Sequence, residues 1–242
     1  MTTQARIGLI IPSSNRLTEP QFQKYAPREI GVHVTRLRMT GKWRKPLAEL
    51  KASIAEAAAA LSDTKPGVIV FHCTASSMEA GLKGESIILE AIQEASRCLS
   101  MTTGQAVTEA LRALGAKNLV LISPYVAELN QHEIHYLDEA SFKVVHDFGM
   151  GLSGGDDYIN VTPEEWEEIA RKNQRSQADA YFLSCTNTTM IEVIDKLERE
   201  LKKPVVTSNQ ATLWACLRRL GLGRAIPGLG KLFSYGASPS SL

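Results

Sequence analysis

Two cysteines, Cys73 and Cys185, are the residues whose type and placement best suit chemistry. Each follows a short apolar run and precedes hydroxyl residues that lead towards a helical pattern. A thiol at such a junction meets free backbone N–H groups and the positive end of a helix dipole, and both favour the nucleophilic thiolate. A lone cysteine is more often a buried structural residue, which is how we interpret Cys98 and Cys216.

An internal repeat makes the first two cysteines a pair. Residues 71–77, FHCTASS, echo residues 183–189, LSCTNTT, at an offset of 112 (185 − 73). Residues 10–12, IIP, and 122–124, ISP, match at the same offset (124 − 12). Two independent matches at one spacing indicate a duplicated unit. A pseudo-twofold axis would bring both strand ends to one cleft, with one thiol on each side.

The polar residues around the two thiols suit a small anion. The candidate substrate-binding residues are Ser14, Asn15, Thr74, Ala75, Tyr125, Thr186 and Asn187. Strand ends and helix starts bind carboxylates through backbone N–H groups and hydroxyls without any arginine. The same residue types are also ordinary helix caps, turn residues and rim aromatics, and both interpretations stay open at this point.

Short β-branched runs alternate with helical patterns from end to end. The predicted strands are residues 7–11, 32–37, 67–71, 118–122, 143–146, 180–183 and 204–207. The predicted helices are residues 45–61, 84–95, 105–114, 126–139, 163–176, 188–201 and 210–220. This alternation is typical of α/β proteins with parallel sheets covered on both faces. In such sheets ligands collect beyond the carboxyl ends of the strands.

A third echo suggests how the halves are joined. Residues 102–106, TTGQA, match residues 207–211, TSNQA, at a shorter offset of 105 (207 − 102), and each segment opens a predicted helix. We expect the first of these helices to begin the second half and the other to return to the first half. Domain one would then be residues 1–100 plus 208–242, carrying Cys73, and domain two residues 101–207, carrying Cys185.

Composition excludes several classes of partner. The 27 basic and 26 acidic residues leave a net charge of +1, which offers no basic face for nucleic acid or an anionic membrane. No apolar stretch approaches the roughly 18 residues that a membrane span needs. The N-terminus does not resemble a signal peptide, so we expect a cytoplasmic protein. Enzymes of this size are commonly oligomers, and we expect a homodimer or higher homo-oligomer.

The sequence contains no convincing cofactor motif. The four cysteines include no Cys-x-x-Cys spacing, so no metal site is expected. Residues 149–154 match Gly-x-Gly-x-x-Gly, but Gly155-Asp156-Asp157 follows instead of an apolar helix, so the dinucleotide interpretation fails. We interpret that segment as a loop near the cleft.

Several of these motifs resemble one enzyme family. Residues 7–15, IGLIIPSSN, the two cysteine motifs and Ser123-Pro124-Tyr125 are similar to the maleate cis-trans isomerases and arylmalonate decarboxylases of the aspartate/glutamate racemase superfamily. The likeness runs nearly the whole length, including residues 203–207, KPVVT, and 226–230, IPGLG. It implies two pseudosymmetric Rossmann-like domains with parallel sheets, an active site at the domain interface and no cofactor.

The resemblance also implies roles for individual residues. Cys73 would attack a double bond as a thiolate, and Cys185 would be its acid/base partner. Asn15 and Tyr125 match positions that hold substrate carboxylates. Arylmalonate decarboxylases replace the first cysteine by glycine, so the presence of Cys73 argues against that reaction.

One departure from the family pattern concerns the loop before Pro163. Maleate isomerases carry an asparagine there; in this sequence Gly155 falls near that position, and Asn160 is a poor substitute.

The reaction that these features favour is cis-trans isomerisation of maleate, or of a closely related small dicarboxylate, to the fumarate form. Three alternatives are weighed against it. The first is an amino-acid or hydantoin racemase that uses the two thiols as opposed bases. The second is an arylmalonate-type decarboxylase, and the third, ranked last, is a non-catalytic anion-binding protein.

Overall fold

Within residues 5–234, which this computed structural model describes, eight strands alternate with eleven α-helices. The strands are β1 Ala5–Pro12, β2 Ile30–Leu37, β3 Val68–Phe71, β4 Leu99–Thr102, β5 Asn118–Ser123, β6 Lys143–Gly149, β7 Ala180–Leu183 and β8 Val205–Thr207. The helices are α1 Thr18–Tyr25, α2 Leu47–Ser62, α3 Thr74–Met78, α4 Gly81–Ser96, α5 Thr103–Ala113, α6 Ala127–Glu139, α7 Gly155–Tyr158, α8 Pro163–Lys172, α9 Ile194–Leu201, α10 Ser208–Arg219 and α11 Gly230–Ser234. Short 3-10 turns cover Gly41–Trp43 and Met190–Val193.

The strands form two four-stranded parallel sheets with the same strand order. The first runs β2-β1-β3-β4 and the second β6-β5-β7-β8. The repeat extends to the register: Ile10 lies opposite Phe71 in the first sheet, and Ile122 lies opposite Leu183 in the second. Strands β3 and β7 are buried along their whole length, as continuous apolar runs in a covered parallel sheet should be. The predicted α/β fold with two pseudosymmetric Rossmann-like units is confirmed.

Helices α5 and α10 begin in equivalent ways after the last strand of each sheet. The Thr102 hydroxyl accepts a hydrogen bond from the Gln105 N–H at 3.0 Å, and the Thr207 hydroxyl accepts one from Gln210 at 3.3 Å. These are helix N-caps, and they explain the third sequence echo. The two helices pack against each other, and α5 also contacts both β4 and β8.

The predicted domain boundaries stay a prediction. The first sheet takes its strands from residues 5–102 and the second from residues 118–207, so β4 crosses the predicted boundary at residue 100. Residues 1–4 and 235–242 of the first predicted domain lie outside the described residues. In the part of the chain that the structure describes, no helix is long and apolar enough to cross a membrane.

Several elements differ from those predicted from sequence. The unpredicted elements are β4, α1, α3, α7 and α11. All are short or polar, so neither apolar periodicity nor length marks them. The predicted helix at residues 188–201 is divided into the 3-10 turn Met190–Val193 and helix α9.

Candidate active site

A cleft of about 650 Å³ lies beyond the carboxyl ends of the central strands of both sheets. Pro12 and Cys73 line it from the first half, and Tyr125 and Cys185 line it from the second. Pro12 ends β1, and Cys73, Tyr125 and Cys185 each lie two residues beyond the ends of β3, β5 and β7. The pseudosymmetry therefore brings equivalent strand ends to one space. The predicted position of the site, between the halves, is confirmed.

Cys73 stands at the N-cap of helix α3 and is 6 % exposed. Its thiol donates a hydrogen bond to the Ser76 hydroxyl, with the two atoms 3.3 Å apart. Burial raises the pKa of the thiol, and hydrogen bonding with the side chain and backbone of Ser76 offsets only part of that rise. The expectation that this junction lowers the thiol pKa is therefore wrong, because loss of solvation outweighs what a five-residue helix supplies.

Cys185 lies two residues after the end of β7 but does not begin a helix, since the next helical turn starts at Met190. Its sulfur accepts a hydrogen bond from the Asn187 N–H at 3.3 Å. Burial raises the pKa of Cys185 to about 12, against the lowering effect of that N–H and of a hydrogen bond from Tyr125. At neutral pH this thiol is protonated, and the predicted thiolate is again not confirmed.

Asn15 lines the cleft, but its side-chain amide is occupied within the protein. The amide nitrogen donates to the carbonyl and the hydroxyl of Thr186, at 3.2 and 3.1 Å. The amide oxygen accepts from the backbone N–H groups of Leu17 and Thr18, at 3.1 and 3.0 Å. Asn15 therefore ties the start of α1 in the first half to the Cys185 loop in the second.

Asn187 makes a second connection across the cleft. Its amide oxygen accepts from the Arg16 N–H at 2.8 Å, and its amide nitrogen donates to the Gly155 carbonyl at 3.2 Å. A Cβ atom at Gly155 would lie 3.2 Å from that amide nitrogen and 3.4 Å from the Ser14 hydroxyl oxygen. The absence of a side chain at residue 155 thus lets this loop pack closely against both halves.

Of the predicted binding residues, all except one line the cleft. Those that line it are Ser14, Asn15, Ala75, Tyr125, Thr186 and Asn187. Thr74 is buried elsewhere, and its hydroxyl donates to the Ser208 hydroxyl at 2.8 Å. Ser208 in turn accepts from the Cys185 N–H at 3.2 Å, so Thr74 supports the second cysteine loop from beneath.

His72 is directed away from the cleft, as strand alternation predicts for the neighbour of Cys73. Its ring nitrogens meet Asn209 at 2.8 Å and Thr103 at 3.0 Å, on helices α10 and α5. Burial lowers the pKa of His72 to about 4, so the ring is neutral at physiological pH. The residue joins the two interface helices to the first sheet.

Tyr125 and Tyr158 form an aromatic wall beside the second thiol. Their rings meet edge to face, with centroids 5.6 Å apart, and both line the cleft. Burial raises the pKa of Tyr125 well above its usual value, so its hydroxyl remains a neutral hydrogen-bond donor. Sequence reasoning missed Tyr158, because nothing in the polar loop around it indicates that it turns back to the strand ends.

The glycine-rich segment begins at Gly149, the last residue of β6, and continues as a loop over residues 150–154, as predicted. Leu152, Ser153 and Gly154 line the cleft, and only the four-residue helix α7 follows. Asn160 is exposed and does not line the cleft, whereas Gly155 does. Among residues 5–234, no group of three or more His, Cys, Asp or Glu side chains is arranged to hold a metal ion.

Comparison with known proteins finds relatives of the same length and fold. A maleate isomerase from Nocardia farcinica is 28% identical over 94% of both chains. A maleate isomerase from Pseudomonas putida is 28% identical over 97% of this chain and 99% of its own. The solved structure of a cysteine-to-serine mutant of the Nocardia farcinica maleate cis-trans isomerase holds a covalently bound succinylcysteine intermediate. It superposes with a TM-score of 0.89 at 27% identity, covering 96% of this chain and 99% of its own.

A protein-family profile also matches nearly the whole described chain. The profile of the family described as arylmalonate decarboxylase matches residues 7–233, which include both cysteines and almost the whole described chain. This protein belongs to that family.

Proposed function

We propose that this protein is an isomerase that converts maleate, or a closely related small cis-dicarboxylate, to its trans isomer without a cofactor. The observation that carries the proposal is the pair of thiols, one from each half, on a single cleft. Two full-length relatives are named maleate isomerases, and the structure of one holds its substrate skeleton on a cysteine. The arrangement here offers the same chemistry.

The reaction begins with the Cys73 sulfur. The thiol first releases its proton to solvent, and the thiolate then adds to one alkene carbon. A C–S bond forms while the π electron pair moves to the neighbouring carbon and its carboxylate as an enediolate. The former double bond is then a single bond and rotates. Return of the electron pair expels the thiolate and leaves the trans double bond, so the thiolate is regenerated.

We assign the two thiols different roles. Ser76 lies 3.3 Å from the Cys73 sulfur, and its hydroxyl can turn to donate to the thiolate when that forms. Cys185, with a pKa of about 12, keeps its proton at neutral pH and acts as the acid. In this role it protonates the carbanion and takes the proton back before the thiolate leaves.

Charge develops on the substrate carboxylate in the transition state, and neutral donors must stabilise it. Tyr125 supplies a buried hydroxyl, and Ser14 supplies an exposed one that lies 3.2 Å from the Thr40 hydroxyl. Ala75 and Thr186 add backbone groups at the two cysteine loops. A preorganised donor of this kind contributes on the order of 3 kcal/mol to a barrier. Asn15 and Asn187 act by holding these loops in place.

Incubation of the purified protein with maleate tests the proposal, with fumarate followed by proton NMR. We expect turnover that survives EDTA and that is lost in Cys73→Ala and Cys185→Ala. Cys98→Ala is the matched control, because Cys98 is partly exposed and lies outside the cleft lining. No turnover of maleate or of substituted maleates by the wild-type protein would overturn the proposal.

A second candidate reaction is decarboxylation of an arylmalonate, which the description of the matching family favours. It would use Cys185 as the proton donor to an enediolate. The retained Cys73 in the cleft makes it the weaker candidate. Release of carbon dioxide from phenylmalonate, with no action on maleate, would reverse the ranking.

We also propose that the protein is a cytoplasmic homo-oligomer. Most soluble oligomers are closed symmetric assemblies of identical chains, and dimers are the commonest of these. Light scattering on the purified protein measures the state directly, and a monomeric mass at micromolar concentration would contradict this part of the proposal.

A further inference from the structure

A buried carboxyl group, that of Glu133, contacts Ser184, the residue before Cys185. Glu133 is on helix α6 and is fully buried. One carboxyl oxygen accepts a hydrogen bond from the Ser184 hydroxyl at 2.8 Å, and the other has no hydrogen-bond partner in the described structure. Among residues 5–234, no ion pair involves Glu133. A carboxylate buried in this way is unfavourable, whereas a neutral carboxyl is tolerated.

The surroundings of Glu133 connect it to both thiols. Ser184 directly precedes Cys185, and helix α6 packs against helix α3, which Cys73 caps. A negative charge on Glu133 raises the pKa of four side chains, and all four line the cleft. They are Cys73, Cys185, Tyr125 and Tyr158.

Two further carboxyl groups, from α4 and β6, also face helix α6, but each accepts a hydrogen bond from a different residue of that helix. Glu85 on α4 accepts from the Tyr136 hydroxyl at 2.8 Å. Asp147 on β6 accepts from the Asn130 amide at 3.1 Å. His132, the neighbour of Glu133 on α6, has a buried ring nitrogen without a partner in the described structure. Of these carboxyl groups, only that of Glu133 interacts electrostatically with both thiols.

We propose that Glu133 is a positioning residue that acts in its protonated form, allowing the thiolate to form at Cys73 while neutral and suppressing it when ionised. The inference rests on the proposed function only in requiring the thiols to react. Thiol alkylation measures that reactivity without any substrate. Failure of maleate turnover and failure of this inference are therefore separate results.

The direction of the pH effect follows from burial. Burial raises the pKa of Glu133 to about 8, and the bond from Ser184 offsets part of that rise. Below pH 8 the carboxyl is neutral and leaves the thiols unaffected. Above pH 8 its negative charge raises the pKa of both thiols, because a nearby like charge disfavours a second ionisation. Thiol reactivity should then increase less steeply with pH than that of an ordinary thiol.

The test compares the wild-type protein with Glu133→Gln, which keeps an oxygen for Ser184 but cannot ionise. Iodoacetamide alkylation of Cys73 and Cys185 is measured from pH 6 to pH 10 by peptide mass spectrometry. We expect equal rates within about twofold at pH 6.5. At pH 9 we expect Cys73 to react roughly tenfold faster in the variant, which corresponds to one pKa unit. Glu85→Gln, at another buried carboxyl, is the matched control and should follow the wild-type profile.

Two outcomes would overturn the inference. One is that wild type and Glu133→Gln give the same profile across the whole range. The other is that Glu85→Gln changes the profile as much as Glu133→Gln. If Glu133→Gln does not fold, Ser184→Ala replaces it. Loss of the Ser184 hydroxyl raises the Glu133 pKa further, so the suppression should begin at higher pH, and an unchanged onset would contradict the inference.

Discussion

Asn15→Ala is the substitution that best separates support of the cleft from contact with a substrate. The resemblance to maleate isomerases implies that this amide holds a substrate carboxylate. In the structure the amide instead makes four hydrogen bonds within the protein, two to Thr186 and two to the backbone at Leu17 and Thr18. We therefore expect the substitution to lower the free energy of unfolding as well as activity.

The size of the loss can be worked out from what each partner retains. The Thr186 carbonyl still accepts from the Thr18 hydroxyl at 3.2 Å and from the Asn209 amide at 3.1 Å, so its share is small. The Thr18 N–H is buried and loses its partner, which costs about 1–3 kcal/mol. With the weaker contributions at Leu17 and the Thr186 hydroxyl, we expect a total loss of about 3 kcal/mol. Asn15→Ser can still cap the two N–H groups, so it should lose about half as much.

Urea unfolding followed by circular dichroism measures these differences. Ser14→Ala is the control, because the Ser14 hydroxyl is exposed and its hydrogen bond to Thr40 is open to solvent, so a change within about 0.5 kcal/mol is expected. The reasoning is refuted if Asn15→Ala leaves the unfolding free energy unchanged while KM for maleate rises. That result would make Asn15 a substrate ligand whose bonds to Thr186 are not formed in solution.

Two other perturbations test the site and its support. Gly155→Ala places a methyl group 3.2 Å from the Asn187 amide nitrogen and 3.4 Å from the Ser14 hydroxyl. We therefore expect the KM for maleate to rise about threefold while the melting temperature stays unchanged. A lower KM would contradict this view of the loop. His72, with its pKa lowered to about 4, stays neutral in the folded protein while the unfolded chain takes up a proton below about pH 6.5, so stability is lost as pH falls through that window. Between pH 7 and pH 4 the wild type should lose about 3 kcal/mol more than His72→Gln, and equal losses in urea unfolding would show that His72 is protonated in the folded state.

The repeat in the sequence was sufficient to predict the framework. Residues matched at an offset of 112 occupy equivalent positions in the two sheets. Ile10 pairs with Phe71 in the first sheet, and Ile122 pairs with Leu183 in the second. Apolar strands separated by helices leave few other arrangements, because parallel strands need covered faces and crossover helices. The prediction depends on apolar patterns, so it does not detect elements that lack one, such as β4 and α1.

The chemical state of the site could not be predicted in this way. The local sequence around Cys73 and Cys185 favours a thiolate, yet both pKa values are raised, because segments far away in the chain close over the two thiols. The position of Thr74 in the cysteine motif predicts a substrate-binding residue, but its hydroxyl is hydrogen-bonded to Ser208, 134 residues away in the sequence. No sequence pattern indicates a role for Glu133; only the packing of α6 brings its carboxyl group to the Ser184 hydroxyl.

The sequence by itself determined that two equivalent strand–cysteine units exist, that their sheets are parallel and that the reactive residues stand where strands end. Those properties follow from local apolar patterns and from the repeat. Only the tertiary structure decided how much water reaches each thiol, which side chains have hydrogen-bonding capacity left for a substrate and which buried charge faces them. These depend on contacts between distant segments, and solvation and charge energies are set by such contacts rather than by neighbours in the chain.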